Sequence, residues 1–355
     1  MTGSSDLPVV RSDATPAELS AMDRAIAIAT LGPAHGPNPQ VGCVLLSAGG
    51  EVLAEGWHRG AGTPHAEAAA VEAARAAGAD LAGAVAVVTL EPCNHTGRTG
   101  PCTDLLLEAG VSRVVYAVDD PDPAAGGGAA RLRAGGMDVQ GGVRVEQGEA
   151  MLRVWLHAVR TGRPFVTLKL ATTLDGRVAA ADGSSRWITS DEARQHAHAL
   201  RGRVDAIAVG TGTVLADDPA LSAREPDGSL GSHQPLRVVV GSRDVPANAR
   251  LRGPGGELVQ ARTREPSEVL RELATRGVRH LLVEGGPTVA TAFLRAGLVD
   301  RVHAYVAPAF LGSGRTVVGD LGVTAIDGAV RLETLSVERL GPDVLIIAEP
   351  SKETA

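Results

Sequence analysis

Lysine is almost missing from this chain. Of its 34 basic residues only Lys169 and Lys352 are lysines, and the rest are arginines. Aromatic side chains are equally scarce, at three Phe, three Trp and two Tyr, and the formal net charge is −7. A nucleic-acid partner is therefore not expected, because both the basic footprint and the base-stacking rings are absent. Three cysteines (Cys43, Cys93 and Cys102) cannot build a disulfide framework across 355 residues, and any pairing leaves one over. The longest apolar run, from Leu81 to Leu90, is too short to cross a bilayer as a helix, so no membrane partner is expected either. Residues 1–20 are polar, are broken by Pro8 and Pro16, and lack the apolar stretch of a secretory signal, which points to the cytoplasm.

A length of 355 residues predicts two domains. With 44 Gly and 21 Pro, turns must be frequent and elements short. In the first half, patterns for a helix (21–31), strands (40–47 and 51–57), a helix (65–77), a strand (84–90), a helix (102–109) and a strand (113–118) alternate. That alternation implies a partly parallel sheet with helices on both faces. The Gly126 to Gly128 run reads as a mobile loop. An amphipathic helix over 146–160 ends at Thr161-Gly162-Arg163-Pro164, which marks the boundary. Strands over 165–170, 206–209, 236–240, 280–283 and 301–306, a closing hairpin turned at Gly341-Pro342, and helices over 190–200, 266–275 and 287–296 form a second α/β unit. The expected organisation is a domain over 18–145, a linker helix over 146–162, a second domain over 163–349, and disordered tails over 1–17 and 350–355.

His65-Ala66-Glu67, Pro92-Cys93 and Pro101-Cys102 form the strongest motif. One imidazole and two thiolates suit zinc, and three protein ligands leave a fourth position for water. Glu67 is then free to move protons, and the pattern is similar to the H-x-E with P-C of zinc nucleobase deaminases. Here the short spacing between the cysteines is replaced by eight intervening residues. Together with Asn38-Pro39-Gln40-Val41-Gly42-Cys43, Gly56-Trp57-His58 and Thr89-Leu90-Glu91-Pro92-Cys93, this insertion resembles the deaminase domain of the bifunctional riboflavin-biosynthesis deaminase/reductase family. Gly100, where the family prefers proline, and the triple glycine are departures. Asn38, His58 and His95 are candidate substrate contacts that equally fit ordinary loop roles, and Cys43 reads as a core thiol.

No G-x-G-x-x-G follows a strand in the second half, which disfavours a Rossmann site. Instead, Glu284-Gly285-Gly286-Pro287-Thr288 joins a strand to a helix, a turn able to admit a phosphate. The stretches 169–177, 187–190, 205–210, 213–219 and 284–288 resemble the reductase domain of the same family. The resemblance implies a cytidine-deaminase-like three-layer α/β domain followed by a dihydrofolate-reductase-like α/β domain, with zinc in the first and NADPH in the second. It implies a cofactor lining of Ala171, Trp187, Thr213, Asp217, Ser242, Gly286, Pro287, Thr288, Val289, Ala290, Thr291 and Ala292. Substrate would meet Ser185, Arg201, Leu221, Arg224 and Glu284, and the arginines independently suit a ribose phosphate. Lys169 and Asp217 are candidates for proton handling, or else a structural ion pair. Arg243, His196 and His198 read as surface or packing residues.

The implied function is deamination of a phosphoribosylamino-diaminopyrimidinone followed by NADPH-dependent reduction of its ribosyl group to ribityl. The substrate is thus a small phosphorylated pyrimidine, and a homo-oligomer is expected. Two other readings remain at this point: a different zinc deaminase with an inactive second domain, and a non-catalytic sensor of zinc and nucleotide.

Overall fold

A computed structural model describes residues 13–95 and 100–351, and the chain divides into two compact units at Arg160/Thr161, with His35–Pro37 grouped with the second. The parts of the expected tails at 1–12 and 352–355 lie outside the described residues.

In the first unit, helix α1 (Pro16–Ala29) precedes strands β1 (Gly42–Leu46) and β2 (Val52–Trp57). It begins earlier than the apolar pattern suggests. Thr15 and Glu18 close a capping box across Pro16, which satisfies the first free amides and fixes the start. Then follow α2 (Ala66–Ala76), β3 (Val85–Leu90), α3 (Cys102–Glu108), β4 (Arg113–Val118), α4 (Gly128–Ala134), β5 (Asp138–Gln140) and α5 (Val145–Thr161). The sheet order is β2-β1-β3-β4-β5, antiparallel through β3 and parallel beyond it. Apolar residues of α2, α3 and α4 cover one face, and those of α1 and α5 cover the other. The helix expected as a linker packs Leu152, Trp155 and Leu156 onto that second face.

Two glycines set distances that matter for the site. A Cβ on Gly56 would lie 2.3 Å from the Ala70 nitrogen and 2.4 Å from the Ala66 oxygen, so α2 rests directly on β2. The Gly126 to Gly128 run is not simply a loop, because α4 starts at Gly128 with Gly127 left-handed at its N-cap. A Cβ on Gly128 would fall 1.8 Å from the Pro92 oxygen, so only glycine allows α4 to reach the turn that carries Cys93.

The second unit contains β6 (Phe165–Thr173), β7 (Arg177–Ala179), α6 (Asp191–Arg201), β8 (Ala206–Gly210), α7 (Thr211–Asp217), β9 (Leu236–Val240), β10 (Leu258–Ala261) and α8 (Pro266–Thr275). It continues through β11 (His280–Val283), α9 (Pro287–Arg295), β12 (Arg301–Ala307), β13 (Arg315–Thr316), β14 (Leu332–Leu340) and β15 (Asp343–Pro350). Eight strands form one sheet in the order β10-β9-β8-β11-β6-β12-β15-β14. The first six are parallel, and the hairpin expected at Gly341-Pro342 adds the two antiparallel ones. No described helix is long and apolar enough to cross a membrane.

Candidate active sites

His65 is the N-cap of α2, Cys93 ends the turn after β3, and Cys102 is the first residue of α3. Their nitrogen and sulfur atoms lie within 4.8 Å of one another, the one such group among the described residues. His65 Nδ1 stands 3.5 Å from Cys93 Sγ and 3.4 Å from Cys102 Sγ. Ligands about 2.0 to 2.3 Å from a tetrahedral zinc are separated by roughly 3.5 Å, so the donor set fits that ion. Hydrogen bonds from Cys102 and His65 draw the Cys93 thiol well below its usual range, while the same contact and burial push Cys102 up.

Glu67 sits in the first turn of α2 and is only 4 % exposed. Burial, and then the Cys93 charge, raise its carboxyl to about 7, a value suited to accepting and returning a proton near neutrality. His58 Nδ1 lies 3.0 Å from the Pro64 oxygen and must carry the proton there, which leaves Nε2 to accept from Asn38 Nδ2 at 2.9 Å. The His58 ring stands edge-on to His65 with centroids 5.7 Å apart, so Asn38 and His58 both border the metal cluster. His95 is half-buried beside Cys93, and its Nδ1 has no hydrogen-bond partner. Cys43 is fully buried and its thiol is pushed well up by desolvation, in keeping with a core role.

Sequence reasoning gave no role to Glu91. Its buried carboxylate accepts from the Asp120 amide at 3.1 Å and the Ala129 amide at 2.8 Å, pinning the 120 loop and α4 to the Cys93 turn. The available signal was a carboxylate directly before Pro92-Cys93, a position where an unpaired charge would be costly.

In the second unit, Arg201 at the end of α6 grips Glu284, just beyond β11, through bonds of 2.7 and 2.8 Å. A third bond of 3.2 Å runs from Arg201 to the Ser222 carbonyl. Arg201 and Lys169 hold the Glu284 carboxyl down at about 2 against the opposing effect of burial. Burial draws the Lys169 ammonium below its normal value. Its Nζ lies 5.5 Å from the Tyr305 ring centroid. Among the described residues nothing pairs Lys169 with Asp217, which is exposed at the end of α7 and accepts through its backbone from Arg186.

The other second-half candidates divide by position. The Gly286 amide donates to Thr213 Oγ1 at 3.1 Å, closing the turn at the start of α9, and Thr291 Oγ1 donates to the Pro287 carbonyl. Thr288 and Ser242 are exposed, and Trp187 is exposed beneath the Arg194 guanidinium. Ala171 packs beside Tyr305. Pro287, Ala292 and Ser185 are half-buried, whereas Val289 and Ala290 direct their side chains into the core. Leu221 is left-handed, with its side chain packed among Val204 and Ile207, so its backbone is what remains for a ligand. Arg224 lies on a small loop, donating to the Gly228 carbonyl. Arg243 is exposed, as expected, but His196 is more than a surface residue, since it bonds the Tyr305 hydroxyl at 2.7 Å.

A zinc-type deaminase domain and a reductase domain in one chain form the class that these two units define. Residues 16–118 match the cytidine and deoxycytidylate deaminase zinc-binding region, and residues 164–346 match the RibD C-terminal domain. The riboflavin biosynthesis protein RibD of Mycobacterium tuberculosis is 55 % identical over 87 % of this chain and 90 % of its own, and that of Escherichia coli is 40 % identical over 87 % and 93 %. Among solved structures, a diaminohydroxyphosphoribosylaminopyrimidine deaminase/5-amino-6-(5-phosphoribosylamino)uracil reductase from Thermotoga maritima superposes with a TM-score of 0.87 at 34 % identity, covering 94 % of this chain and 99 % of its own. The chain belongs to the RibD family of bifunctional riboflavin-biosynthesis enzymes, with a zinc-dependent deaminase domain followed by an NADPH-dependent reductase domain. Neither the deaminase with an inactive second domain nor the sensor is favoured, because the relatives match across both halves.

Proposed function

We propose that this chain deaminates 2,5-diamino-6-(5-phosphoribosylamino)pyrimidin-4(3H)-one and then reduces the ribosyl group of 5-amino-6-(5-phosphoribosylamino)uracil, with the following division of labour. His65, Cys93 and Cys102 would hold zinc, which when bound would lower the pKa of a water towards neutrality. Glu67 is placed to accept a proton from the attacking water and would return it to the departing ammonia. Its burial beside the ligand cluster supports the role. Asn38 is oriented by His58, and with the unpartnered His95 Nδ1 it is offered to the pyrimidine.

In the second unit bound NADPH would supply a hydride to the anomeric carbon. The Gly286 to Ala292 start of α9, Thr213, Ala171, Trp187, Asp217 and Ser242 would line its place, with backbone groups acting at Val289 and Ala290. Glu284, Arg201, Arg224, Ser185 and the Leu221 backbone hold the substrate. Lys169 protonates the ring oxygen as the sugar opens, and Asp217 serves the same proton traffic from the exposed side. Domains over 18–145 and 163–349 joined through the 146–162 helix, a cytoplasmic location, a homo-oligomeric state and the absence of a nucleic-acid partner complete the reading.

One observation carries it: the His65, Cys93 and Cys102 donors converge beside a buried carboxylate that is not needed as a ligand. Glu67→Gln tests it. Zinc content should be kept while ammonia release is lost, and NADPH oxidation should persist when the deaminated intermediate is supplied directly. Loss of zinc with retained deamination would overturn the assignment.

A further inference from the structure

One of the two lysines in this chain is half-buried in the reductase unit, on the sheet face covered by α6. Lys169 on β6 pairs in register with His303 on β12, and Ala171 pairs with Tyr305. Paired residues on parallel strands share a face, which brings Tyr305 diagonally beside Lys169. Tyr305 is 1 % exposed and heads the fully buried large side chains. Lys169 Nζ stands 5.5 Å from its ring centroid, within cation–π range. The ring is fixed from behind, where its hydroxyl meets His196 Nδ1 at 2.7 Å and its body packs on Ala193, Ala197 and Leu345.

We infer that Tyr305, braced by His196, is a positioning residue for the reductase reaction: its ring face seats the Lys169 ammonium beside the Arg201–Glu284 pair. The inference rests on the reading of Lys169 as a proton donor. Glu284 alone would draw the ammonium inward, and Arg201 already occupies both Glu284 oxygens. The ring offers a second, uncharged attraction from the β12 side and keeps Nζ from collapsing onto the carboxylate. The other charged or titratable groups around the pair are His198 on α6, His303 and Arg301 on β12, and Glu338 on β14.

The scarcity of lysine makes the test direct, since protein labelled with ¹⁵N at lysine Nζ has two resonances to assign. The comparison is between Tyr305→Phe and pentafluorophenylalanine in place of Tyr305, which have nearly the same shape but ring faces of opposite polarity. With Tyr305→Phe, the Lys169 midpoint should stay near that of the unaltered protein and reductase kcat should fall by no more than about threefold, near the low end of what one lost neutral hydrogen bond is worth. The fluorinated ring should lower the midpoint by at least about half a unit and kcat by roughly tenfold, with KM for NADPH little changed. If both rings give the same midpoint and the same kcat, or if Tyr305→Phe alone produces the full loss, the inference is overturned. A lowered midpoint with unchanged kcat would keep the seating and instead remove Lys169 from proton transfer.

Discussion

Arg201 and Glu284 meet as a two-pronged ion pair with side chains only 16 % and 7 % exposed, joining the end of α6 to the loop after β11. Neither charge is solvated well enough to stand alone, so the pair must be kept or replaced as a unit. Glu284→Gln should destabilise the second unit by about 3 kcal/mol, and Arg201→Met by a similar amount, whereas the double substitution should cost less than their sum. Urea unfolding followed through hydrogen exchange of β11 amides reads these differences; additive losses would show that the pair is not coupled.

The same pair sets an acid response. Glu284 titrates near 2 in the folded chain, below its ordinary value of 4.5, so its contribution is complete above that ordinary value. As pH falls from 4.5 towards 2 the stability it lends is lost, in total on the order of 3 kcal/mol. His280 acts at higher pH. Burial lowers its pKa to about 3 from 6.5, so the unfolded chain binds the extra proton first and stability drains as pH falls from 6.5 towards 3. His280→Gln, which can still hydrogen-bond Thr167, should flatten the upper part of the stability–pH curve and leave the lower part in place.

Gly128→Ala should damage the metal site without touching a ligand. Its methyl group would meet the Pro92 carbonyl at 1.8 Å, and either α4 or the Cys93 turn must move. Zinc affinity should fall by about 10- to 100-fold, as for other losses of support behind a ligand. Gly49→Ala, whose nearest contact would be an ordinary 3.6 Å, is the matched control. Equal zinc affinities in a chelator competition would remove Gly128 from the account.

Much of this was legible in sequence because local chemistry and tertiary need coincide. Apolar runs such as His280–Val283 and Leu236–Val240 became strands at the expected residues, and the zinc donors were readable from residue type and spacing. What was hidden depended on partners distant in sequence. Gly126 to Gly128 looked like a loop because its purpose, an approach to Pro92, lies in another element. Likewise His196 and Tyr305 are 109 positions apart, and no periodicity joins them. Beyond the Glu284–Thr288 turn and the arginines suited to a phosphate, the reductase site was visible only through family resemblance, since its polar residues are scattered over strand ends and loops.

Chelation should separate the two activities. Removing zinc should abolish ammonia release while leaving NADPH oxidation of the deaminated intermediate within about twofold, because no second cluster of three metal-donor side chains occurs among the described residues. A parallel loss of both activities would mean that the reductase unit depends on the metal.

The most direct test of the whole account is a coupled assay started from the diamino substrate, with and without Glu67→Gln. The variant should bind zinc and oxidise no NADPH from that substrate, yet oxidise it at the normal rate once the deaminated intermediate is added. NADPH oxidation from the diamino substrate that survives the substitution would contradict the ordered two-step reading and the role of Glu67 together.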